Sequence, residues 1–147
     1  MYKHIMIPSD GSELSDKAID AGVEFARQVN ARVTGFTAVP EYKLPNEAEL
    51  MSRRGTSPAQ YEVKAGRQAE SVLKKIADRA RAAGVEYDAE FVQSDFPYRA
   101  IICAAEKHGC DLIFMASHGR RGISALIHGS ETQGVLTHSK IPTLVYR

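Results

Sequence analysis

The chain is predicted to fold as a three-layer α/β domain with a parallel sheet between two layers of helices. Three observations carry that reading. Five short β-like runs alternate with four helical ones, the pattern of βαβ units. The fourth run, Leu112-Ile113-Phe114-Met115-Ala116, is apolar throughout, as a strand covered on both faces must be. The 147 residues suit a single domain spanning 1–147, with 44% hydrophobic and 25% charged residues and no internal repeat, linker or low-complexity stretch.

The elements follow in order. The first strand is His4–Pro8. A helix starts at about Ser12, with Ala18, Gly22, Phe25, Ala26 and Val29 on the stripe of a helix packed on a sheet. The second strand is Arg32–Val39. Residues 40–57 show no period, contain Pro45 and Gly55, and outrun the usual loop, so they are a candidate mobile flap. The second helix covers 58–83, with Ala69, Val72, Leu73, Ile76, Ala77 and Ala80 as its stripe and Gly84 as its stop. In the third strand, 86–92, Tyr87, Ala89 and Phe91 alternate with Glu86, Asp88 and Glu90. Carboxylates along one face argue for a sheet edge. A third helix spans 97–108, and the fourth, Ser130–His138, leads through Pro142 into the last strand, Thr143–Tyr146.

Charge and composition exclude several classes. A net charge of +1, with basic and acidic residues interspersed, is not the footprint of a duplex nucleic-acid binder. The longest apolar run, 100–105, is far short of the ~18 residues of a membrane span, and the start carries no signal-peptide pattern. Cys103 and Cys110 read as two buried free thiols in a reducing compartment, so the expected location is cytoplasmic. No His pairs with another ligand type at metal-binding spacing on one helix face, and no protein metal site is expected.

Parallel α/β sheets bind ligands at the carboxyl ends of their strands. Three segments fall there: Pro8-Ser9-Asp10-Gly11-Ser12, then Ala38-Val39, then Ser117-His118-Gly119-Arg120-Arg121-Gly122, whose loop ends at His128-Gly129-Ser130-Glu131-Thr132. Gly129-Ser130 at a helix start offers main-chain amides, a hydroxyl and the positive end of a helix dipole, which suits a phosphate. The same pair is also what an ordinary N-cap looks like, and Asp10 before Gly11-Ser12 also reads as a cap. It is not a Walker loop, since no Gly-Lys-Ser/Thr follows the glycines.

The opening Ile-Met-Ile-Pro-Ser-Asp-Gly-Ser, the Met-Ala-Ser-His-Gly after the fourth strand, Gly129-Ser130 and the closing Ile-Pro-Thr-Leu-Val-Tyr-Arg together resemble the universal stress protein (UspA-like) family over the whole chain. The resemblance implies a Rossmann-like fold with strand order 3-2-1-4-5 and four helices. It also implies binding of ATP, ADP or AMP, with any Mg2+ held by the phosphates, and a homodimer through Thr143–Tyr146. The family's nucleotide loop has two glycines three apart, then nine residues, then Gly-Ser or Gly-Thr. Gly119, nine residues and Gly129-Ser130 match; Ala116 stands where the first glycine belongs.

By the same resemblance Asp10 would meet the ribose or adenine edge, Pro8 and Ser9 would wall the pocket, and Ala38 would meet adenine through its main chain. Gly119, Gly129, Ser130 and Thr132 would hold the phosphates, with His118 and Arg120 nearby. Glu131 is expected to point away, since a carboxylate there would otherwise disfavour a triphosphate. A response regulator would need paired acids after the first strand, and a pyrophosphatase loop would need Ser-Gly-Gly-x-Asp-Ser; neither is present. The readings left open are a nucleotide-binding regulator of the stress response, a dimeric interaction module with a degenerate pocket, and a very slow ATPase.

Overall fold

The computed structural model describes residues 1–52, 55–118 and 129–147. Its strands are β1 (His4–Pro8), β2 (Arg32–Val39), β3 (Tyr87–Gln93), β4 (Leu112–Ala116) and β5 (Thr143–Tyr146). They form one parallel sheet in the order β3-β2-β1-β4-β5, and the order of strand addition reverses between β1 and β4. The described helices are α1 (Glu13–Val29), α2 (Glu47–Met51), α3 (Pro58–Ala82), α4 (Pro97–Lys107) and α5 (Ser130–His138).

Alternation along the central strands feeds two cores. Ile5 and Ile7 of β1, Val33 of β2 and Leu112 and Phe114 of β4 meet Ile19, Val23 and Ala26 of α1 and Ile76 of α3. Met6, Phe36, Ile113 and Met115 face the other way, against Ile101, Ala104 and Ala105 of α4 and Val135 of α5. Helices on both sides bury β1 and β4 along their whole length, which is why both are apolar apart from His4. Gly84, after the end of α3, adopts φ +69°, a left-handed turn that costs glycine nothing.

Three expectations need correction. The described residues contain five helices rather than four, because α2 lies inside the 40–57 segment. Five residues are too few to reveal a 3.6-residue period, and none of them is buried. The signal that was present is the capping box: Asn46 Oδ1 accepts from Glu49 N–H (2.8 Å) and Glu49 Oε2 accepts from Asn46 N–H (2.9 Å). Second, β3 runs Tyr87–Gln93 rather than 86–92; it is an edge strand as its carboxylates suggested, and its apolar face is not covered throughout. Tyr87 reaches α3, its hydroxyl donating to Leu73 C=O (3.0 Å), whereas Phe91, farther along, is 41% exposed. Glu90 on the opposite face is held by Lys107 (2.7 Å) and His108 (2.6 Å). Third, Cys110 is buried but Cys103 is exposed, on the outer side of α4.

The amino ends of the strands hold a buried polar contact. His4 is buried with its Nε2 on Thr34 Oγ1 (2.7 Å), and burial, with the nearby charge of Arg32 and then of His108, holds its pKa below the ordinary 6.5 despite the opposing pull of Asp111. The unfolded chain therefore takes up this proton at a higher pH than the native one. Stability rises with pH through the window just below 6.5 and is lost as pH falls through it. Urea midpoints at about pH 7 and about pH 5 should differ less for His4→Leu than for the parent chain. An equal pH dependence in both would assign the effect to other groups.

Candidate functional site

A proline opens the crevice between β1 and β4. β1 pairs with β2 from His4↔Arg32 to Pro8↔Phe36, and Ser9 N–H then donates to Phe36 C=O (2.9 Å). Successive residues of a strand turn their main-chain groups to opposite neighbours, so Ile7 and Ser9 face β2 while Met6 and Pro8 face β4. Pro8 has no N–H to give. The β1–β4 register accordingly holds Ile5↔Leu112 and Met6↔Ile113 and goes no further. The chain thus carries a proline in a central strand at the place where a missing ladder bond separates two strands.

The same alternation places Ala38. Phe36 bonds toward β1, and Val39 C=O accepts from Ser94 N–H beyond β3 (2.8 Å), so Ala38 turns its N–H and C=O toward β1. β1 pairing has already ended at Pro8. The main-chain pair of Ala38 therefore opens on the crevice, one donor and one acceptor side by side.

The turn from β1 into α1 is a closed set of short bonds. Gly11 sits at φ +78°, which favours glycine. Its N–H donates to Ser9 Oγ (3.1 Å), while Asp10 Oδ1 accepts from Ser12 N–H (2.9 Å) and Ser15 Oγ (2.8 Å). Ser12, not Asp10, is the N-cap of α1, accepting from Ser15 N–H (3.2 Å). Asp10 is fixed against the first turn of the helix, with its carboxylate on the exposed rim.

On the far side, β4 is tied to the start of α5. Gly129 N–H donates to Ser117 C=O (2.8 Å), and Thr132 Oγ1 donates to Ala116 C=O (2.9 Å). Ser117 Oγ lies 3.1 Å from His118 Nδ1. The Gly129 amide and the Thr132 hydroxyl are thus engaged with the end of β4. Among the described residues, the N–H groups of Ser130, Glu131 and Thr132 have no hydrogen-bond partner, since the first N–H to return into the turn is that of Gln133, on Gly129 C=O (2.9 Å). Gly129 brings no side chain to cap them. It is glycine because of a close approach rather than its dihedral angle: at φ −59°, a Cβ would stand 3.1 Å from His118 Cα.

Glu131 points away from the crevice, its Oε2 accepting from Tyr98 N–H at the start of α4 (2.6 Å). Gly119, Arg120, Arg121, Gly122 and His128 lie outside the described residues. The sheet order brings Ser9, Asp10, Ala38, Ala116, His118 and the α5 start to the carboxyl end of the sheet, around the reversal point. Sequence reasoning gave Ser117 only as a member of its loop, without the anchoring role, and missed Ser15, which anchors the other loop, and Tyr98. A serine directly after a strand is a weak signal, and Tyr98 lies on a helix that sequence spacing did not connect to the crevice.

The model of the universal stress protein family matches residues 1–147. The chain belongs to the universal stress protein family. A universal stress protein of Methanocaldococcus jannaschii is 30% identical to it, across all of this chain and 83% of the relative. Among solved structures, a second M. jannaschii protein, solved to assign its biochemical function, is 26% identical with a TM-score of 0.78, covering 99% of this chain and 95% of its own. A universal stress protein solved in complex with cAMP is 24% identical, TM-score 0.69, covering 99% and 97%. More distant neighbours of the same fold were solved with dAMP and with AMP. Neighbours this dissimilar in sequence establish the shared fold. No described helix of this universal stress protein is long and apolar enough to cross a membrane.

Proposed function

We propose that this universal stress protein binds an adenine nucleotide in the β1/β4 crevice and acts as a homodimeric, cytoplasmic regulator of a stress response. The observation that carries the reading is the Ala38 main-chain pair turned toward β1, with the helix-start amides of Ser130–Thr132 at the same carboxyl end of the sheet beyond β4. A donor beside an acceptor suits the edge of adenine, and three amides at the positive end of a helix suit a phosphate. Asp10 on the rim between them suits a ribose hydroxyl. The adenine monophosphates bound by structural neighbours support the same ligand class. Mg2+ would be carried by the phosphates of a di- or triphosphate, and it supplies charge neutralisation there.

The two sheet edges favour different fates. The outward amide of Ala89 on β3 is covered by its neighbour Asp88 (2.8 Å), which blunts that edge. On β5, Leu144 and Tyr146 bond toward β4, leaving the main-chain groups of Thr143 and Val145 outward on an apolar strand. Pairing of two such strands supports the homodimer.

Titration with ATP, ADP and AMP tests the nucleotide reading, with saturable binding at micromolar to millimolar concentration expected. No affinity at millimolar levels would leave the interaction-module reading, which Ala116 at the first-glycine place favours. Sedimentation as a monomer at micromolar concentration would remove the dimer.

A further inference from the structure

We propose that Glu131 is a positioning residue: its carboxylate caps α4 and by that bond sets the first turn of α5, the turn that presents the phosphate-facing amides. The role rests on the nucleotide reading above. α4 starts without a cap of its own. Its N-cap is Phe96, which offers no side-chain bond, and Pro97 at the first position has no N–H. Arg99 and Ala100 both donate to Phe96 C=O (3.1 Å each). Tyr98 N–H is the donor left over, and Glu131 Oε2, 33 residues further along the chain, accepts it.

The Tyr98 side chain completes the contact. A Cβ on Gly134 would run into the Tyr98 ring, and that ring stacks on His138 at 5.4 Å and 23°. Glu131, Gly134 and His138 follow one stripe of α5, at i, i+3 and i+7, and one residue of α4 engages all three. The first turn of α5 is thus held from two sides, by β4 through Gly129 and Thr132 and by α4 through Glu131. The bond also answers the electrostatic difficulty of an acid beside a phosphate seat. The negative charge is turned onto the positive end of a different helix, where it is stabilised.

Glu131→Gln and Glu131→Ala are equally neutral but differ in whether an oxygen can accept from Tyr98 N–H. With a fluorescent AMP analogue, Glu131→Gln should bind as tightly as the parent or tighter, since a charge has left the neighbourhood of the phosphate. Glu131→Ala should bind about tenfold more weakly than Glu131→Gln. Equal affinity in the two variants would overturn the positioning role. Hydrogen exchange in the nucleotide-free protein reads the latch alone: the Tyr98 and Gln133 amides should exchange about tenfold faster in Glu131→Ala and stay protected in Glu131→Gln. Unchanged exchange in Glu131→Ala would overturn the latch. If the parent chain binds no AMP analogue, the nucleotide reading fails and takes the ligand-directed role with it, while the exchange result still decides whether Glu131 holds α5.

Discussion

Gly129→Val should yield a folded, less stable protein that no longer takes up an adenine nucleotide. Read from sequence, the substitution costs little stability, because the residue looks like a bare stretch of backbone at a ligand. The structure adds a second effect. Gly129 packs its Cα side against the main chain of His118, and a Cβ would stand 3.1 Å from His118 Cα and 3.3 Å from His118 Cβ. Those atoms belong to the chain leaving β4 and cannot swing aside, so α5 must move off or the strand end must yield. Overpacking of this kind costs about 1–3 kcal/mol. Movement of α5 also breaks the Gly129–Ser117 bond and re-aims the Ser130–Thr132 amides. Misaligning two or three charge-assisted hydrogen bonds at once weakens binding by about a hundredfold or more. Gly129→Ala, meeting the same atoms with one methyl, should fall between. Titration beside a urea midpoint separates the two effects, and a Gly129→Val protein that binds as the parent does would show that the α5 start is not the seat.

The periodic features were legible because they are local. β1, β2, β4, α5 and β5 have the bounds their apolar runs and flanking prolines and glycines suggested, and the edge position of β3 followed from its carboxylates. What escaped depends on packing between distant segments. Phe91 belongs to the apolar side of an alternating strand, yet whether anything covers it depends on where α3 crosses. Cys103 sits in an apolar run, but α4 presents it outward. Glu131 could be recognised from sequence as awkward; that its partner is Tyr98 N–H follows only from the packing of α4 on α5. The role of Pro8 was legible in principle, since a proline in a central parallel strand must leave a neighbour without a bond, but the strand it deprives is known only from the sheet order.

Phe36→Ala should have the opposite signature: a large loss of stability with nucleotide binding retained by the folded fraction. Phe36 is fully buried in β2, in the core cluster that also holds Met6, Ile113 and Met115 of the sheet and Ile101 and Ala105 of α4. Removing a ring from so closed a site leaves a cavity that rigid neighbours fill poorly, at a cost of about 3–5 kcal/mol. For a chain of this size that corresponds to a melting temperature lower by about 6–20 °C. The contribution of residue 36 to the crevice is different in kind. Its C=O accepts from Ser9 N–H and so fixes the turn beside Asp10, and a main-chain bond survives the substitution. Ala38, two residues on, keeps its direction because strand alternation does not depend on side chains. Denaturation should therefore show a midpoint well below that of the parent, while titration with an AMP analogue under stabilising conditions should give an affinity within about threefold of it, the scatter expected when only packing behind a site changes. If affinity falls with stability, the crevice is shaped by the core beneath it, and main-chain geometry alone does not account for recognition.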